Sequence, residues 1–389
     1  MAPLSPDPSA ISTGSPSAPA GLSPSQVAQS SAAGVHGRGA ATNPASRFEK
    51  LQYVADQDAL EAERLAEEHG ASAPRVRTLY LRDPSKSAIS KNSSPDIDFD
   101  ASLNPYRGCT HGCAYCYARP THEYLGFSAG LDFETRVLVK ADMPQLLRKE
   151  LNRKSWQPQV IAMSGVTDAY QPVERSLEIT RGCLRVLTEF RNPVAIVTKS
   201  GLVTRDADLL AELAAFDAAA VNLSITTLDP KLARSLEPRA ANPLQRLHAI
   251  EALARAGVPV GVMVAPVIPG LNDHEIPRIL KAARDAGARW AGTIVLRLPY
   301  GVKDLFADWL ERNQPERKER VLSRIRDVRG GKLNDTRFGT RMHGDGLYAQ
   351  QIRNLFEVQR RRIGLDEPMR GLSTEHFRRP GDAQLDFFA

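Results

Sequence analysis

Three of the four cysteines in this 389-residue chain lie within eight consecutive positions. Cys109, Cys113 and Cys116 have the spacing C-x3-C-x2-C, in the stretch Asn104-Pro-Tyr-Arg-Gly-Cys-Thr-His-Gly-Cys-Ala-Tyr-Cys-Tyr-Ala. Three thiolates on one tight loop can hold three corners of an iron–sulfur cube and leave the fourth iron without a protein ligand. Because a small chelating molecule can bind an open iron, the spacing indicates chemistry rather than a structural staple.

Zinc is the main alternative, since it also binds thiolates but usually takes four protein ligands. His111 or His122 could supply the fourth ligand beside the three cysteines. We favour the open cluster because the motif follows a candidate strand at the start of a repeated strand–helix pattern. Four cysteines in a chain this long do not form a disulfide scaffold, so we predict a reducing, cytoplasmic compartment.

Apolar strands alternate with amphipathic helices from about residue 97 to 300, which predicts an α/β fold with a parallel sheet. The candidate strands are Ile97–Leu103, Val160–Met163, Val194–Thr198, Ala220–Ile225, Val258–Val264 and Thr293–Leu298, with Thr135–Lys140 as a short extra one. The candidate helices between them are Met143–Arg153, Ser176–Phe190, Asp206–Phe216, Pro243–Ala256 and Glu275–Ala286. Six such units predict a partial (β/α)6 TIM-like barrel, and periodicity alone leaves a doubly wound sheet open.

The chain ends differ from this core. Residues 1–45 are rich in Ser, Ala, Pro and Gly and are predicted to be disordered. Residues 46–96 form a lead-in segment, extended from about 75 to 95 with a loop at 84–92. Residues 97–300 form the core domain, and 301–389 form a basic helical extension with a flexible tail from residue 370 onward. We find no signal peptide and no apolar run of the roughly 20 residues that a membrane span needs.

The cysteine stretch resembles the signature of the radical SAM superfamily, whose members use a [4Fe–4S] cluster and S-adenosylmethionine (SAM). Its surroundings look like the spore photoproduct lyase-like branch, in a bacterial subfamily with an Arg-Phe-Glu lead-in and a basic extension. The resemblance implies that SAM chelates the open iron. One-electron reduction, from a flavodoxin- or ferredoxin-type donor, then gives methionine and a 5′-deoxyadenosyl radical that abstracts hydrogen. The resemblance also implies a six-strand partial barrel in the core domain, residues 97–300.

The resemblance also assigns SAM contacts to polar residues that follow the candidate strands. Their assigned partners are the adenine for Tyr115, the methionine moiety for Asp168 and for Thr167 or Ser164, the SAM carboxylate for Lys199 and Arg239, and the ribose for Ser224, with Asn222 and Thr226 as further candidates. Simpler roles stay open: Asp168 could be a helix N-cap, Lys199 could extend to solvent, and Arg239 could form a surface salt bridge.

The residues after the second candidate strand limit the analogy to the lyase. Photoproduct lyase itself carries a hydrogen-donating cysteine just before the second-strand Ser/Thr-Asp, whereas Gly165 and Val166 precede Thr167 here. Repair of a thymine dimer by that route is therefore not expected. The remaining cysteine, Cys183, lies at helical spacing with leucines and is predicted to be a small core residue.

The positive charge is concentrated near the carboxyl end. Between Arg312 and Pro380, 17 Lys and Arg face 9 Asp and Glu, although the whole chain has a net charge of only +6. This basic extension could bind nucleic acid or could be a solvated arginine-rich surface. Residues 384–388, Gln-Leu-Asp-Phe-Phe, resemble the peptide by which bacterial proteins dock on the sliding clamp, or they could pack on this protein's own core.

Three functions are therefore compared. The first is a radical SAM enzyme that acts on nucleic acid, as in DNA repair. The second is a radical SAM enzyme that modifies a protein or a small molecule. The third is a zinc-containing nucleic-acid-binding module without catalysis. The substrate itself cannot be inferred from these motifs.

Overall fold

The computed structural model describes residues 37–44, 47, 77–97, 99–367 and 371–380. Within these residues, the main sheet has, in spatial order, β10 (Ala291–Val295), β9 (Val260–Val267), β8 (Ala219–Ser224), β7 (Val194–Thr198), β6 (Ile161–Met163), β3 (Ala101–Leu103) and β2 (Ile89–Lys91). The pairs from β10 to β3 are parallel, and β2 is an antiparallel edge strand. Because β10 does not pair with β3 in the described part of the chain, the sheet is a partial barrel.

Helices follow the parallel strands and cover the sheet. Their bounds are α1 (Asp132–Thr135), α2 (Met143–Leu151), α3 (Glu174–Leu177), α4 (Ile179–Phe190), α5 (Ala207–Ala214), α6 (Pro230–Leu236), α7 (Pro243–Arg255), α8 (Ile276–Asp285), α9 (Val302–Asn313), α10 (Lys318–Asp327), α11 (Thr340–His343) and α12 (Gly346–Arg362). The strands β6 and β8 are buried along their whole length, as expected for strands covered on both faces. The largest apolar cluster joins the sheet to most of these helices, and a second cluster packs α9 and α10 with the cysteine loop.

A smaller sheet lies beside the start of the barrel. It has the order β1 (Leu79–Arg82), β5 (Arg136–Val139) and β4 (Tyr106–Arg107), with β1 parallel and β4 antiparallel to β5. The predicted extra strand at residues 135–140 is thus present, although it belongs to this second sheet. The pairing of β4 fixes the residues that lead directly into Cys109.

The predicted strand and helix pattern of the core is confirmed, with four corrections. The predicted loop at 84–92 contains β2, because its backbone pairs with β3. The predicted helix 176–190 is interrupted at Glu178, which has a left-handed φ of 49°. Asp206 precedes α5 without a side-chain capping bond, because its carboxylate binds Arg181 and Arg205. Helix α6 was not predicted, whereas Asn242 forms the expected cap as part of a capping box.

Two described segments near the chain ends are more ordered than the sequence predicted. Residues 37–44, which were predicted to be disordered, pack on the cysteine loop, where Ala40 and Ala41 are buried. Residues 371–380, predicted to be flexible, dock on the core, where the Phe377 ring lies 6.2 Å from that of Phe190. The remaining residues of the predicted disordered segment, most of the lead-in, and residues 384–388 lie outside the described residues.

The extension after β10 is helical and folds back on the barrel. Helix α12 packs on α8 and α10, and α11 contacts β10. Where the structure describes the chain, it contains no helix that is both long and apolar enough to cross a membrane. The position of α11 places part of the extension at the carboxyl ends of the strands, where a barrel of this kind has its active site.

Candidate functional site

The cysteine motif forms a loop at the carboxyl end of β3. Three backbone or side-chain contacts from different elements hold the loop: Cys109 N donates to Phe133 O at 2.9 Å, Ala114 N to Leu236 O at 2.9 Å, and Thr110 N to Gln171 Oε1 at 3.1 Å. Because these partners come from α1, α6 and the loop after β6, the motif is fixed from several sides.

The three thiols of the motif are close together and poorly hydrated. Cys109 and Cys113 are buried, and Cys116 is partly exposed. Burial and the negative charge of Glu237 raise the pKa of Cys113 well above its usual value, and charges on Cys116 and Cys109 contribute. Burial also raises the pKa of Cys116. Bound iron would stabilise the thiolate form that the protein alone disfavours, and three thiolates suit an iron–sulfur cluster. The residues present therefore fit the cluster.

The two histidines proposed as zinc ligands have other partners. His111 Nδ1 lies 3.4 Å from Asp168 Oδ2, and His122 Nε2 lies 2.9 Å from the Arg136 carbonyl oxygen. Among the described residues, no three His, Cys, Asp or Glu side chains are arranged to hold a single metal ion. The geometry gives no support to a mononuclear zinc site, whereas a cluster spreads its cysteines around several irons.

Asp168 connects the loop after β6 to the cysteine loop and to the end of β7. Its Oδ1 accepts from Thr198 Oγ1 at 2.7 Å and from Tyr170 N at 2.9 Å, and its Oδ2 accepts from Lys199 N at 2.8 Å. Burial would raise the pKa of Asp168, but His111 lowers it to about 2. No helix begins at Asp168, so it is not a simple helix cap. Its role as a SAM contact stays a prediction.

Tyr115 belongs to a buried polar network that the sequence did not predict. Its hydroxyl donates to the Glu237 carboxylate and lies 3.1 Å from Thr226 Oγ1. Glu237 in turn pairs with Arg246. The network fixes the aromatic ring beside the cysteines, as a ring that packs on a ligand requires.

Lys199 and Ser224, predicted on neighbouring strands, meet directly. Lys199 Nζ donates to Ser224 Oγ at 2.8 Å and lies 5.9 Å from the centre of the Tyr115 ring. Ser224 Oγ donates to Ala265 O at 2.9 Å. In contrast, Asn222 Oδ1 accepts from Trp290 Nε1 at 2.8 Å. The Asn222 side chain, which was an alternative ribose contact, therefore binds a buried residue of the core.

The other predicted SAM contacts are more dispersed. Ser164 has a left-handed φ of 81°, a strained conformation typical of functional sites, and its Oγ accepts from Ala169 N. Thr167 Oγ1 donates to Gly108 O at 2.7 Å, so it supports the cysteine loop. Arg239 is exposed, and its backbone N donates to His111 O at 3.2 Å. Ala241 N, two residues further on, donates to Lys199 O at 3.2 Å, and the contact of the Arg239 side chain with SAM stays a prediction.

A cationic and aromatic surface lies next to Cys116. The exposed Tyr117 ring lies 5.4 Å from the Arg297 guanidinium carbon, and its hydroxyl donates to Gly165 O at 2.6 Å. Arg341, from the extension, lies 4.7 Å from the centre of the exposed Phe338 ring and pairs with Asp96. We call Tyr117, Arg297, Phe338 and Arg341 the mouth surface.

Sequence reasoning missed several residues that shape this site. The sequence patterns singled out none of Glu237, Arg246 and Gln171. A carboxylate in a segment that follows a barrel strand was the available signal for Glu237. No local pattern marks Arg246, because its partner is determined by the packing of α7 rather than by spacing.

Comparisons with known proteins agree with this geometry. The model of the radical SAM superfamily matches residues 103–283. An uncharacterized protein of Mycobacterium tuberculosis is 38% identical over 246 residues, which cover 62% of this chain and 71% of that protein. Another uncharacterized protein, from Methanocaldococcus jannaschii, is 33% identical over 174 residues, which cover 44% of this chain and 62% of that protein.

The fold is similar to that of spore photoproduct lyase. The lyase complexed with dinucleoside spore photoproduct superimposes with a TM-score of 0.54 at 14% identity, covering 73% of this chain and 79% of the lyase. A tyrosine-to-phenylalanine mutant of the lyase gives a TM-score of 0.55 at 14% identity, covering 79% of this chain and 92% of the lyase. At this identity the likeness concerns the fold alone.

A partial barrel with a three-cysteine loop at the carboxyl end of its first strand defines a class of cluster-containing enzymes. The chain belongs to the radical SAM superfamily, and it is a radical SAM enzyme that uses a [4Fe–4S] cluster and SAM. This finding favours the enzyme over the non-catalytic zinc module.

Proposed function

We propose that this radical SAM enzyme acts on nucleic acid. In this proposal Cys109, Cys113 and Cys116 hold the cluster, while Lys199 and Ser224 bind SAM. The observation that carries the proposal is the mouth surface, which combines exposed aromatic rings with guanidinium groups next to the last cysteine.

The chain's own residues prepare the site for its cofactors. When bound, the cluster and SAM supply a radical that removes a hydrogen atom from the substrate. Lys199 offers a positive charge to a carboxylate, and Ser224 offers a hydroxyl beside it. The Tyr115 ring, fixed through Glu237, supplies an apolar face for an adenine. Burial of Cys109 and Cys113 limits the access of water to this end of the barrel, whereas Cys116 is partly exposed.

Arg297 supports the assignment of an anionic substrate. Its side chain is half-buried, and in the described part of the chain it makes no ion pair; its Nη1 approaches only the weak acceptor Met342 Sδ, at 3.5 Å. Burial and the nearby positive charge of Arg341 lower the pKa of Arg297. The nearby carboxylate of Asp96 raises the pKa of Arg297, but it pairs with Arg341, and a desolvated cation without an ion pair of its own favours an anion from a ligand. A phosphate group of a nucleic acid would satisfy this requirement.

The aromatic rings of the mouth surface suit an unpaired base. Tyr117 is 48% exposed and Phe338 is 59% exposed, although both are held beside arginines. Proteins that bind single-stranded nucleic acid stack bases on such rings and neutralise phosphates with neighbouring cations. Other cations of the extension form local ion pairs, as Arg312 does with Asp308. The mouth surface is therefore better evidence for the substrate class than the net charge of the extension.

Two partner predictions accompany this proposal. A flavodoxin- or ferredoxin-type donor would supply the electron, and residues 384–388 would dock on a sliding clamp. The clamp prediction is tested by Phe387→Ala in the full chain: binding to purified clamp should be lost, and unchanged binding would contradict it. These residues lie outside the described ones, so the sequence alone supports this part of the proposal.

The proposed substrate class is tested by binding of a fluorescent single-stranded oligonucleotide at several salt concentrations. The affinity should fall steeply with salt, and Arg297→Ala should weaken it and reduce the slope of log K against log salt by about 1. Phe338→Ala should cost about 1–3 kcal/mol of binding through lost stacking. Arg255→Ala removes an exposed arginine that pairs with Glu251 on α7 and serves as the charge-matched control.

Two results would contradict the proposal that the substrate is a nucleic acid. One is the absence of salt-sensitive binding by the cluster-loaded chain. The other is an equal effect of Arg297→Ala and Arg255→Ala. Either result would favour modification of a protein or a small molecule, which would still require 5′-deoxyadenosine release from SAM under reducing conditions.

A further inference from the structure

Residues 37–44 lie across the cysteine loop and α1, and we call them the N-terminal strap. Ala40 is 2% exposed and packs with Leu131 and Leu305. The strap is also fixed by hydrogen bonds along its length, since Leu131 N donates to Thr42 O at 3.2 Å. Asn43 and Asp132 form two hydrogen bonds. Asn43 Nδ2 donates to Asp132 Oδ1 at 3.1 Å, and the backbone N of Asp132 donates to Asn43 Oδ1 at 2.9 Å.

The strap touches the cysteine loop at a point that only glycine permits. A Cβ atom added to Gly39 would lie 1.8 Å from the carbonyl oxygen of Gly112, the residue before Cys113. On the loop side, Gly112 has a left-handed φ of 67°, and a Cβ there would lie 2.6 Å from Glu134 Oε2. Backbone therefore packs directly on backbone beside the second cysteine.

Glu134 joins the strap to this loop. Its carboxylate is fully buried and accepts from Gly39 N at 3.2 Å and from Ala40 N at 2.9 Å. It also pairs with Arg119 Nη2 at 2.5 Å, and both side chains are 0% exposed. A buried ion pair is favourable only when further hydrogen bonds satisfy its remaining polar atoms, and the strap amides supply them for Glu134.

Arg119 connects Glu134 to the backbone of Cys113. Its Nε and Nη2 donate to the carbonyl oxygen of Cys113 at 3.1 and 2.9 Å. Its Nη1 donates to Ala129 O at 3.2 Å and Gly130 O at 2.9 Å, next to the strap's contact with Leu131. The contacts thus run from the strap amides through Glu134 and Arg119 to the backbone of Cys113.

We propose that the N-terminal strap positions the cluster loop, with Glu134 and Arg119 as positioning residues that fix the Cys113 backbone. The strap contributes no ligand. It holds the second cysteine in its orientation and covers the loop at Gly39, so that water and chelators reach the cluster less easily. This role is independent of the substrate, and it does not rest on nucleic-acid binding.

The test compares Gly39→Ala with Gly371→Ala in the full-length, cluster-loaded protein prepared without oxygen. A Cβ at Gly371 would meet nothing within 4 Å, so this variant is the matched control. Gly39→Ala should lose iron to a chelator about 10- to 100-fold faster than the control, as expected when a residue that orients metal ligands is disturbed. The paramagnetic resonance spectrum of the reduced cluster should also change.

Circular dichroism and the melting temperature separate positioning from general destabilisation. If Gly39→Ala does not fold, Asn43→Ala, which removes the bonds to Asp132 without adding an atom, replaces it, with the same expected direction. The proposal is overturned if the folded variant keeps the iron-loss rate and the spectrum of Gly371→Ala, even where its melting temperature falls. Glu134→Gln should reproduce the spectral change, because it leaves Arg119 without its carboxylate.

Discussion

Glu237 and Arg246 form an ion pair in which each side chain is 1% exposed. Arg246 also donates to Ala241 O and Ser224 O at 2.8 Å each, and Tyr115 donates to Glu237. Burial would raise the pKa of Glu237, but Arg246 lowers it to about 2, so the carboxylate is charged at neutral pH. The pair therefore links α7, the end of β8 and the cysteine loop through one charged contact.

Removing one partner of this pair should destabilise the protein strongly. Glu237→Ala leaves Arg246 buried without its carboxylate, which typically costs about 3–5 kcal/mol of unfolding free energy. Glu251→Ala removes the partner of Arg255 in an exposed pair and should cost about 0–1 kcal/mol. Chemical denaturation of the two variants measures the difference. Equal costs would show that the buried pair does not stabilise the fold beyond a surface pair.

Substitution by alanine should remove the cluster at Cys113, in the cysteine loop, but not at Cys183, in the core. Cys113→Ala should prevent assembly of the [4Fe–4S] cluster and abolish release of 5′-deoxyadenosine from SAM. Cys183 is 0% exposed in the apolar core, which confirms its predicted position as a small core residue. Cys183→Ala should therefore keep a full complement of iron and lose about 1 kcal/mol of stability through the small cavity. Iron analysis of both proteins checks this, and iron loss in Cys183→Ala would refute the assignment.

Substitutions of Lys199, Ser224 and Asn222 should show which of these side chains bind SAM and which only stabilise the fold. Ser224 and Asn222 lie on one face of β8. Ser224 contacts Lys199, whereas Asn222 contacts Trp290. Lys199→Ala should weaken SAM binding to the cluster-loaded protein by about 10- to 150-fold, since bonds to charged groups contribute about 1.5–3 kcal/mol. Ser224→Ala should weaken it to a smaller extent.

Asn222→Ala is the matched control for this measurement. It leaves the buried Trp290 Nε1 without an acceptor, which should cost about 1–3 kcal/mol of stability, while the affinity for SAM stays unchanged. Calorimetric titration with SAM and chemical denaturation measure the two quantities. If SAM affinity falls in Asn222→Ala but not in Lys199→Ala, the assignment of these side chains is wrong.

The sequence predicted what depends on local patterns. The strand Val194–Thr198 was placed with its observed bounds because an apolar run between turn residues is a local signal. The three cysteines carried their chemistry in their spacing. Lys199 and Ser224 could be expected to meet, because the carboxyl ends of neighbouring parallel strands lie at one edge of the sheet.

What the sequence did not predict depends on close packing of distant segments. Residues 37–44 have the composition of a disordered segment, yet they are held because Gly39 lies against Gly112 and their amides satisfy Glu134. The break at Glu178 likewise has no signal in the hydrophobic period. Burial of this kind comes from backbone contact and hydrogen bonds rather than from large apolar side chains, so composition underestimates it.

The docked segment 371–380 leads to a final prediction. Phe377 packs on Phe190, and Arg378 N donates to Phe190 O at 2.9 Å. An aromatic pair contributes about 0.5–1.5 kcal/mol beyond the area it buries, so Phe377→Ala should favour detachment of the segment. Trypsin should then cut after Arg378 about tenfold faster, because cleavage follows the population of the detached state. Glu375→Ala changes an exposed residue of the same segment and should leave the rate unchanged. Equal cleavage of the two variants would mean that Phe377 does not hold the segment on the core.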